Sequence, residues 1–221
     1  MNSLELFKTQ KFYQIDISIL KDLGYDVLLS NRIFDSLLFW KYDILFSYFY
    51  RYSFFAALLA KCFGKKTYFT GGIDSLDSDY ASAFNYKIQA LFFKLCYWVA
   101  DSCIIVSQSD LKNIFKVSSL KKKLSYSEHV INTKLFIADV PKEKIFTSIV
   151  WMGDEGNVVR KGVDKALQIF AELKKIPEFV DYRFVIIGRK GEGEVLVRSI
   201  IDKYNLKGSV ELKGEVSEED K

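Results

Sequence analysis

The chain is poor in the residues that build metal sites and disulfide frameworks. Its 221 positions hold one histidine, His129, and three cysteines. Cys62, Cys96 and Cys103 are odd in number, match no metal-ligand spacing and each sit inside an apolar run. They read as reduced core thiols of an intracellular protein, which excludes a disulfide scaffold and leaves no metal constellation visible. A long uncharged run is missing as well. The richest apolar stretch, YDILFSYFYRYSFFAALLAKCF, is interrupted by Asp43, Arg51 and Lys61, short of the ~20 residues that a bilayer crossing needs. The start, MNSLELFKTQKFYQ, lacks the apolar segment and small-residue cleavage site of a signal peptide. The expectation is a cytoplasmic chain, soluble or peripheral at a membrane. Concentrated charge is scarce too: the net charge of +4 and one tight basic run, Lys121 to Lys123, fall short of a nucleic-acid binder's basic stripe. That run reads either as a solvated loop or helix end, or as a contact for acidic lipid or a phosphorylated ligand.

What is plentiful is apolar and aromatic surface. With 49% hydrophobic residues the chain is an ordinary globular protein with room for one large domain or two small ones. The 19 Phe and 13 Tyr fall mostly before residue 100, so the first half needs either a bulky core or a sticky surface.

Along the chain the apolar period alternates. Phe12, Ile15, Ile19, Leu20 and Leu23 mark one face of a helix stopped by Gly24. DVLLS and YDILFSY read as strands, the second buried. A helix over 52–63 closes at Gly64, and KKTYFT forms a strand ending at Gly71 and Gly72. Residues 85–99 give the cleanest helical period, with Ile88, Leu91, Phe92, Leu95, Cys96 and Val99 on one face. DSCIIVSQ is a strand, SQSDLKNIF starts a helix with Ser107 or Ser109 as its cap, and LSYSEHVINTKLF holds a short strand and turn. A first domain over 1–138 is followed by a linker over 139–146 that contains one of the two prolines. The alternation then restarts over 147–221: the strand TSIVWMG, a glycine-containing loop, a helix over 162–175, the strand DYRFVIIG, a Gly-rich loop, the helix VLVRSIIDKYNL closed by Gly208, and the strand SVELKGEV. Such alternation implies α/β units with parallel sheets. Ser217 followed by Glu218, Glu219 and Asp220 has the form of a helix start, so the second unit is expected to be incomplete and the first to lack an initial strand.

The charged candidates lie in the second unit. Arg160 and Lys161 stand between a strand and a helix, on the side where parallel α/β sheets take ligands. With the helix-start N–H groups and dipole they would favour a diphosphate; exposed cations flanking a tight turn are the alternative. GRKGEGE, with Gly188, Gly191 and Gly193, matches neither GxGxxG nor a P-loop, and is either a βα turn or a loop that approaches a nucleotide. Gly71 and Gly72 pose the same choice in the first unit.

The ordered series GGID, ADSCIIVSQSD, HVINTKLF, WMG, RKGVDKALQIFAELKK, YRFVIIGRKGEGE and SVELKGEVSEED resembles the retaining, nucleotide-sugar-dependent glycosyltransferases of family 4, which have the GT-B architecture. The resemblance runs from about Gly24 to Lys221. It implies two Rossmann-like domains, a UDP- or GDP-linked sugar as substrate with no further cofactor, and a saccharide or lipid-linked acceptor in cell-surface polysaccharide assembly. Lys161, helped by Arg160, would hold the donor diphosphate. Gly153 and Gly188 would lie near the nucleotide, and Gly71 and Gly72 would line the acceptor side. Ser107 and Asn132 match recurring family positions. Three departures stand out: Asp154 follows Gly153 where the family commonly has arginine, His129 stands in the family's asparagine-glycine turn, and the paired glutamates that contact the donor sugar would fall after Lys221. A non-catalytic nucleotide or partner binding module is the rival expectation.

Overall fold

In this computed structural model the described residues are 4, 7–8, 10–72, 76–77, 81–117, 122–130, 133 and 141–217. The chain divides into two compact units, Met1–Phe136 and Ile137–Lys221. The first holds α1 (Lys11–Asp22), two short 3₁₀ turns (Ile33–Leu37 and Phe39–Lys41), β1 (Ile44–Tyr48), α2 (Phe54–Cys62), β2 (Lys66–Thr70), α3 (Ala83–Val99), β3 (Ser102–Ile105), α4 (Gln108–Val117) and β4 (Leu124–Tyr126). The second holds β5 (Ile145–Ile149), α5 (Glu155–Arg160), α6 (Val163–Leu173), a 3₁₀ turn (Pro177–Phe179), β6 (Arg183–Ile187), α7 (Gly193–Lys203) and β7 (Val210–Gly214). Both sheets are parallel, in the orders β1-β2-β3-β4 and β5-β6-β7.

Each unit has its own apolar core. In the first, Phe69 of β2, Cys103 and Ile105 of β3, and Phe93, Cys96 and Val99 of α3 pack with Tyr50 and Phe54. In the second, Val163, Leu167, Phe170 and Ala171 form one stripe of α6, and Val197, Ile200 and Ile201 one stripe of α7. Both stripes cover Phe184 and Ile186 of β6. Each side chain so buried contributes roughly 1.5–3 kcal/mol relative to exposure. Gly24 and Gly64, with φ of +87° and +72°, stand just past the ends of α1 and α2, where left-handed backbone stops a helix; α7 is closed instead by Asn205, at φ +53°, and Gly208, expected to end it, lies in the later turn before β7.

Several expectations need correction. DVLLS forms no strand; residues 26–30 are unpaired, and Leu28 is exposed. A strand with no neighbour leaves its N–H and C=O groups to water, and nothing in that segment's apolar pattern supplies a neighbour. α3 buries a broader face than expected: Cys96 and Val99 are buried and Phe92 and Leu95 pack on the core as the period implied, but Phe93 and Tyr97 are buried as well and Leu91 is exposed. Cys62 ends α2 and is exposed, so only Cys96 and Cys103 are core thiols. Burial pushes the Cys103 thiol up to about 12, which leaves it inert. β5 begins at Ile145, so the last two residues of the expected linker belong to a strand. The loop expected before α6 contains the six-residue helix α5. The chain end over 218–221 lies outside the described residues. Among the described residues no helix is long and apolar enough to cross a membrane.

Candidate functional site

Because β5, β6 and β7 are parallel, the segments after Ile149, Ile187 and Gly214 emerge at one end of the sheet. Gly153, Arg160 and Lys161 are in the chain that leaves β5, and Gly188 follows β6 directly. The two loops are stitched backbone to backbone. Val150 N–H donates to Ile187 O (2.8 Å), Met152 N–H to Arg189 O (3.0 Å), Glu192 N–H to Gly153 O (3.1 Å) and Gly193 N–H to Met152 O (3.2 Å).

This stitching explains the glycine spacing of GRKGEGE. A Cβ on Gly188, whose φ is +144°, would lie 1.9 Å from Val150 O; on Gly191, 2.4 Å from Met152 O; on Gly193, 2.4 Å from Asp154 O. Each of the three glycines abuts a different carbonyl of the 150–154 segment. Their first role is therefore loop-on-loop contact, and the Gly188 amide is itself engaged, donating to Gly214 O at 2.8 Å. Gly153 is tight against the Trp151 ring, 2.7 Å from a Cβ built there.

Arg160 and Lys161 occupy a different helix end from the one the sequence suggested. Arg160 is in the last turn of α5 and Lys161 is its C-cap, with Lys161 N–H donating to Asn157 O at 3.0 Å. The C-terminal end of a helix carries partial negative charge, so two cations are at home there. Gly162, at φ +69°, then turns the chain into α6. At the α6 start, Asp164 is an acid in the first turn, and its buried Oδ1 has no hydrogen-bond partner. A carboxylate there competes with an incoming anion for the helix dipole, so the favourable charge rests on the cations. Lys161 is exposed and its ammonium has no ion-pair partner among the described residues. Arg160 Nη2 donates to Asn157 Oδ1 at 3.3 Å. Asp154, where the family's arginine would stand, caps α5 by accepting from Asn157 N–H at 2.7 Å. Asn157 thus links the cap to Arg160, a role with no signal in the sequence.

In the first unit Gly71 follows β2 with φ +109°, and the ring of Phe49 lies 3.4 Å from a Cβ built on it. Phe49 itself has φ +66° and donates its N–H to Thr70 O at 2.9 Å. A bulky residue in left-handed backbone is strained, and such strain concentrates at functional sites. The sequence gives no hint of it, since phenylalanine has no preference for that region. Gly72 is exposed beside Gly71. Ser107 caps α4, its Oγ accepting from Asp110 N–H at 3.0 Å. His129 is exposed, with its ring 5.7 Å from that of Phe12. Lys123, from the basic run, donates through Nζ to Tyr97 O (3.2 Å) and Trp98 O (3.0 Å) at the end of α3. Asn132 and Lys121 lie outside the described residues. Among the described residues no group of three or more His, Cys, Asp or Glu is placed to hold a metal ion.

No family model and no curated protein matches the chain. Solved structures do. HepE of Anabaena in complex with UDP and glucose is 13% identical at a TM-score of 0.60, over 90% of this chain and 59% of HepE. TarM is 16% identical at a TM-score of 0.59, over 79% of this chain and 33% of TarM. An S. aureus TarM variant in complex with Fondaparinux, alpha-GlcNAc-glycerol and UDP is 17% identical at a TM-score of 0.53, over 74% of this chain and 31% of that one. The likeness is one of fold: two Rossmann-like units of the GT-B kind. The chain spans a third of the TarM length and under two thirds of HepE.

Proposed function

We propose that the chain carries the donor-diphosphate part of a retaining, family 4 glycosyltransferase that uses a UDP- or GDP-linked sugar. The acceptor would be a saccharide or lipid-linked saccharide in cell-surface polysaccharide assembly at the cytoplasmic side of the membrane. The observation that carries the reading is Lys161, an exposed ammonium without an ion-pair partner among the described residues, beyond the carboxyl end of β5. The fold is shared with structures solved with UDP, and open α/β sheets bind ligands at that end of their strands. As the bond between sugar C1 and the β-phosphate oxygen breaks, the departing diphosphate gains charge. Lys161, aided by Arg160, would stabilise it, with Gly153 and Gly188 beside the nucleotide. Gly71, Gly72 and the strained Phe49 would serve the acceptor side. Exposed Phe34, Trp40 and Phe55, together with Arg32 and Lys41, suit a peripheral contact with a membrane surface.

Titration calorimetry with UDP and GDP tests this. Binding of either is expected, weakened on the order of tenfold by Lys161→Ala, equivalent to about 1.4 kcal/mol. Unchanged affinity in the variant would remove the phosphate role. The Asp154 cap favours a second reading, a binding module without turnover, because the position where the family places a second phosphate-facing cation here holds an acid engaged with α5. Transfer of sugar by the chain alone would contradict that second reading; nucleotide binding without transfer would support it.

A further inference from the structure

β1 to β4 are parallel, so the segments that enter them meet at one end of their sheet, opposite the end that carries Phe49 and Gly71. α2 and α3 finish at this entry end, since each leads into the next strand. Residues far apart in the sequence are thereby gathered. Lys61 pairs with Asp101 at 2.8 Å and Lys65 with Asp43 at 3.2 Å, so those charges offset one another. The other lysines of the entry segments, Lys41, Lys66, Lys122 and Lys123, have no carboxylate partner among the described residues. They leave an excess of four positive charges, equal to the net charge of the whole chain. The segments that leave the strands are not basic: their described residues hold Arg51 against Asp77 and Glu128. Exposed rings stand among these lysines. Trp98 is 70% exposed and Trp40 66%. The Trp40 ring lies 5.3 Å from that of Phe39, which stacks on the exposed Phe63 at 4.3 Å. At the ends of α2 and α3 a hollow of about 330 Å³ is lined by Leu58, Lys61, Cys62, Trp98 and Val99.

We propose that this entry end of the first unit docks on an anionic lipid bilayer, with Trp40 and Trp98 at headgroup level and Lys41, Lys66 and Lys122 against the anionic headgroups. Indole rings favour the lipid–water boundary, and lysine lays its apolar stem along such a surface while its ammonium stays wet. Each lysine near an anionic bilayer strengthens binding about fivefold, so these lysines and rings together give a reversible attachment without a spanning helix. The surface does not depend on a free strand edge, because elements that extend a parallel α/β sheet lie beside its strands or on its faces. It deepens the membrane contact proposed above, to which Trp40 and Lys41 already belong, and does not rest on Lys161. Docked this way, the end with Phe49 and Gly71 stands off the headgroups by at least the length of the five-residue strands β1 and β2, about 17 Å. That end is then open to a saccharide that extends from the surface.

Vesicle binding tests the surface. Vesicles of phosphatidylglycerol and phosphatidylcholine should co-sediment the chain and shift its tryptophan emission to the blue; vesicles of phosphatidylcholine alone should do neither, and added salt should weaken the binding. Lys66→Gln and Lys122→Gln should each weaken it about fivefold, and the double variant about 25-fold. Trp151→Phe should keep the blue shift. The variant with Trp40 and Trp98 both replaced by phenylalanine, in which Trp151 alone emits, should lose it. Circular dichroism spectra matching the wild type show that the variants remain folded. A chain that ignores anionic vesicles overturns the proposal, as do equal binding to neutral vesicles, indifference to both lysine variants, or a blue shift reported by Trp151 alone. Nucleotide affinity is read separately by calorimetry, so failure here leaves the Lys161 reading standing, and failure of that reading leaves this one.

Discussion

Gly188 shows how a single missing side chain fixes the geometry around the candidate site. Its φ of +144° is open to glycine and strained for any other residue, and its α-carbon faces the Val150 carbonyl so closely that a Cβ would lie 1.9 Å from that oxygen. The opposing atom is backbone within a hydrogen-bonded ladder and has no rotamer to change. Gly188→Ala should therefore displace the 150–154 loop and destabilise the second unit by about 3 kcal/mol or more. Guanidinium unfolding of the variant measures this; a loss below about 1 kcal/mol would show that the two loops have freedom that the close contact denies. Gly162→Ala is the informative contrast. It also has positive φ, +69°, but nothing lies within 4 Å of its would-be Cβ, so only the backbone term of about 1 kcal/mol should be lost.

At the scale of elements, the joint between β2, α3 and β3 is organised by Asp101. Its Oδ2 accepts from the Thr67 N–H at 2.8 Å, its Oδ1 from the Lys61 ammonium at 2.8 Å, and its own N–H donates to Thr67 O at 2.8 Å. Burial acts against the charge, but the Lys61 and Thr67 donors outweigh it and hold the carboxyl below its ordinary value. A depressed folded value means that the contribution is complete above the unfolded value near ~3.9 and is lost as pH falls through the lower folded value. Asp101→Asn should flatten that part of the acid limb and lower stability at neutral pH by about 1 kcal/mol, a modest figure because the Lys61 and Asp101 side chains are both more than a third exposed. Thermal melts from neutral pH to pH 3 check it; an acid limb identical to wild type would mean that Asp101 titrates as it does in the unfolded chain. The aspartate of ADSCIIVSQ was visible in the sequence only as part of a resemblance, and its hydrogen bonds supply a physical reason for it. The alternation of helices and strands was legible because buried strands and amphipathic helices leave periods in the apolar residues. DVLLS has the composition of a strand without a partner, and pairing is not a local property. α5 has no apolar period at six residues, which hid the fact that Arg160 and Lys161 end one helix before they precede another. The glycines of GRKGEGE were legible as a loop, but their partners, three carbonyls some 40 residues upstream, were not, because close approach of two loops is set by the sheet register.

Across the whole molecule, the two units are the larger organising fact. Among the described residues the core of Met1–Phe136 and the core of Ile137–Lys221 share no member, and each sheet is hydrogen-bonded within its own unit. Cooperativity in unfolding comes from shared burial and pairing, so each unit should unfold as its own two-state block. The second unit is the shorter of the two, and small units bury a lower fraction of their surface, so it should be the less stable of the two. The tryptophans are placed to report this separately: Trp40 and Trp98 belong to the first unit and Trp151 to the second. Replacing Trp40 and Trp98 by phenylalanine leaves Trp151 as the only emitter, and replacing Trp151 leaves the other two. All three are well exposed, so each change should cost little stability. The two proteins should show different denaturant midpoints, with Trp151 reporting the lower. Gly188→Ala should move only the Trp151 transition, and Asp101→Asn only the transition seen by Trp40 and Trp98. Coincident midpoints that shift together with either substitution would show that the units fold as one block, and the separation argued from their cores would fail.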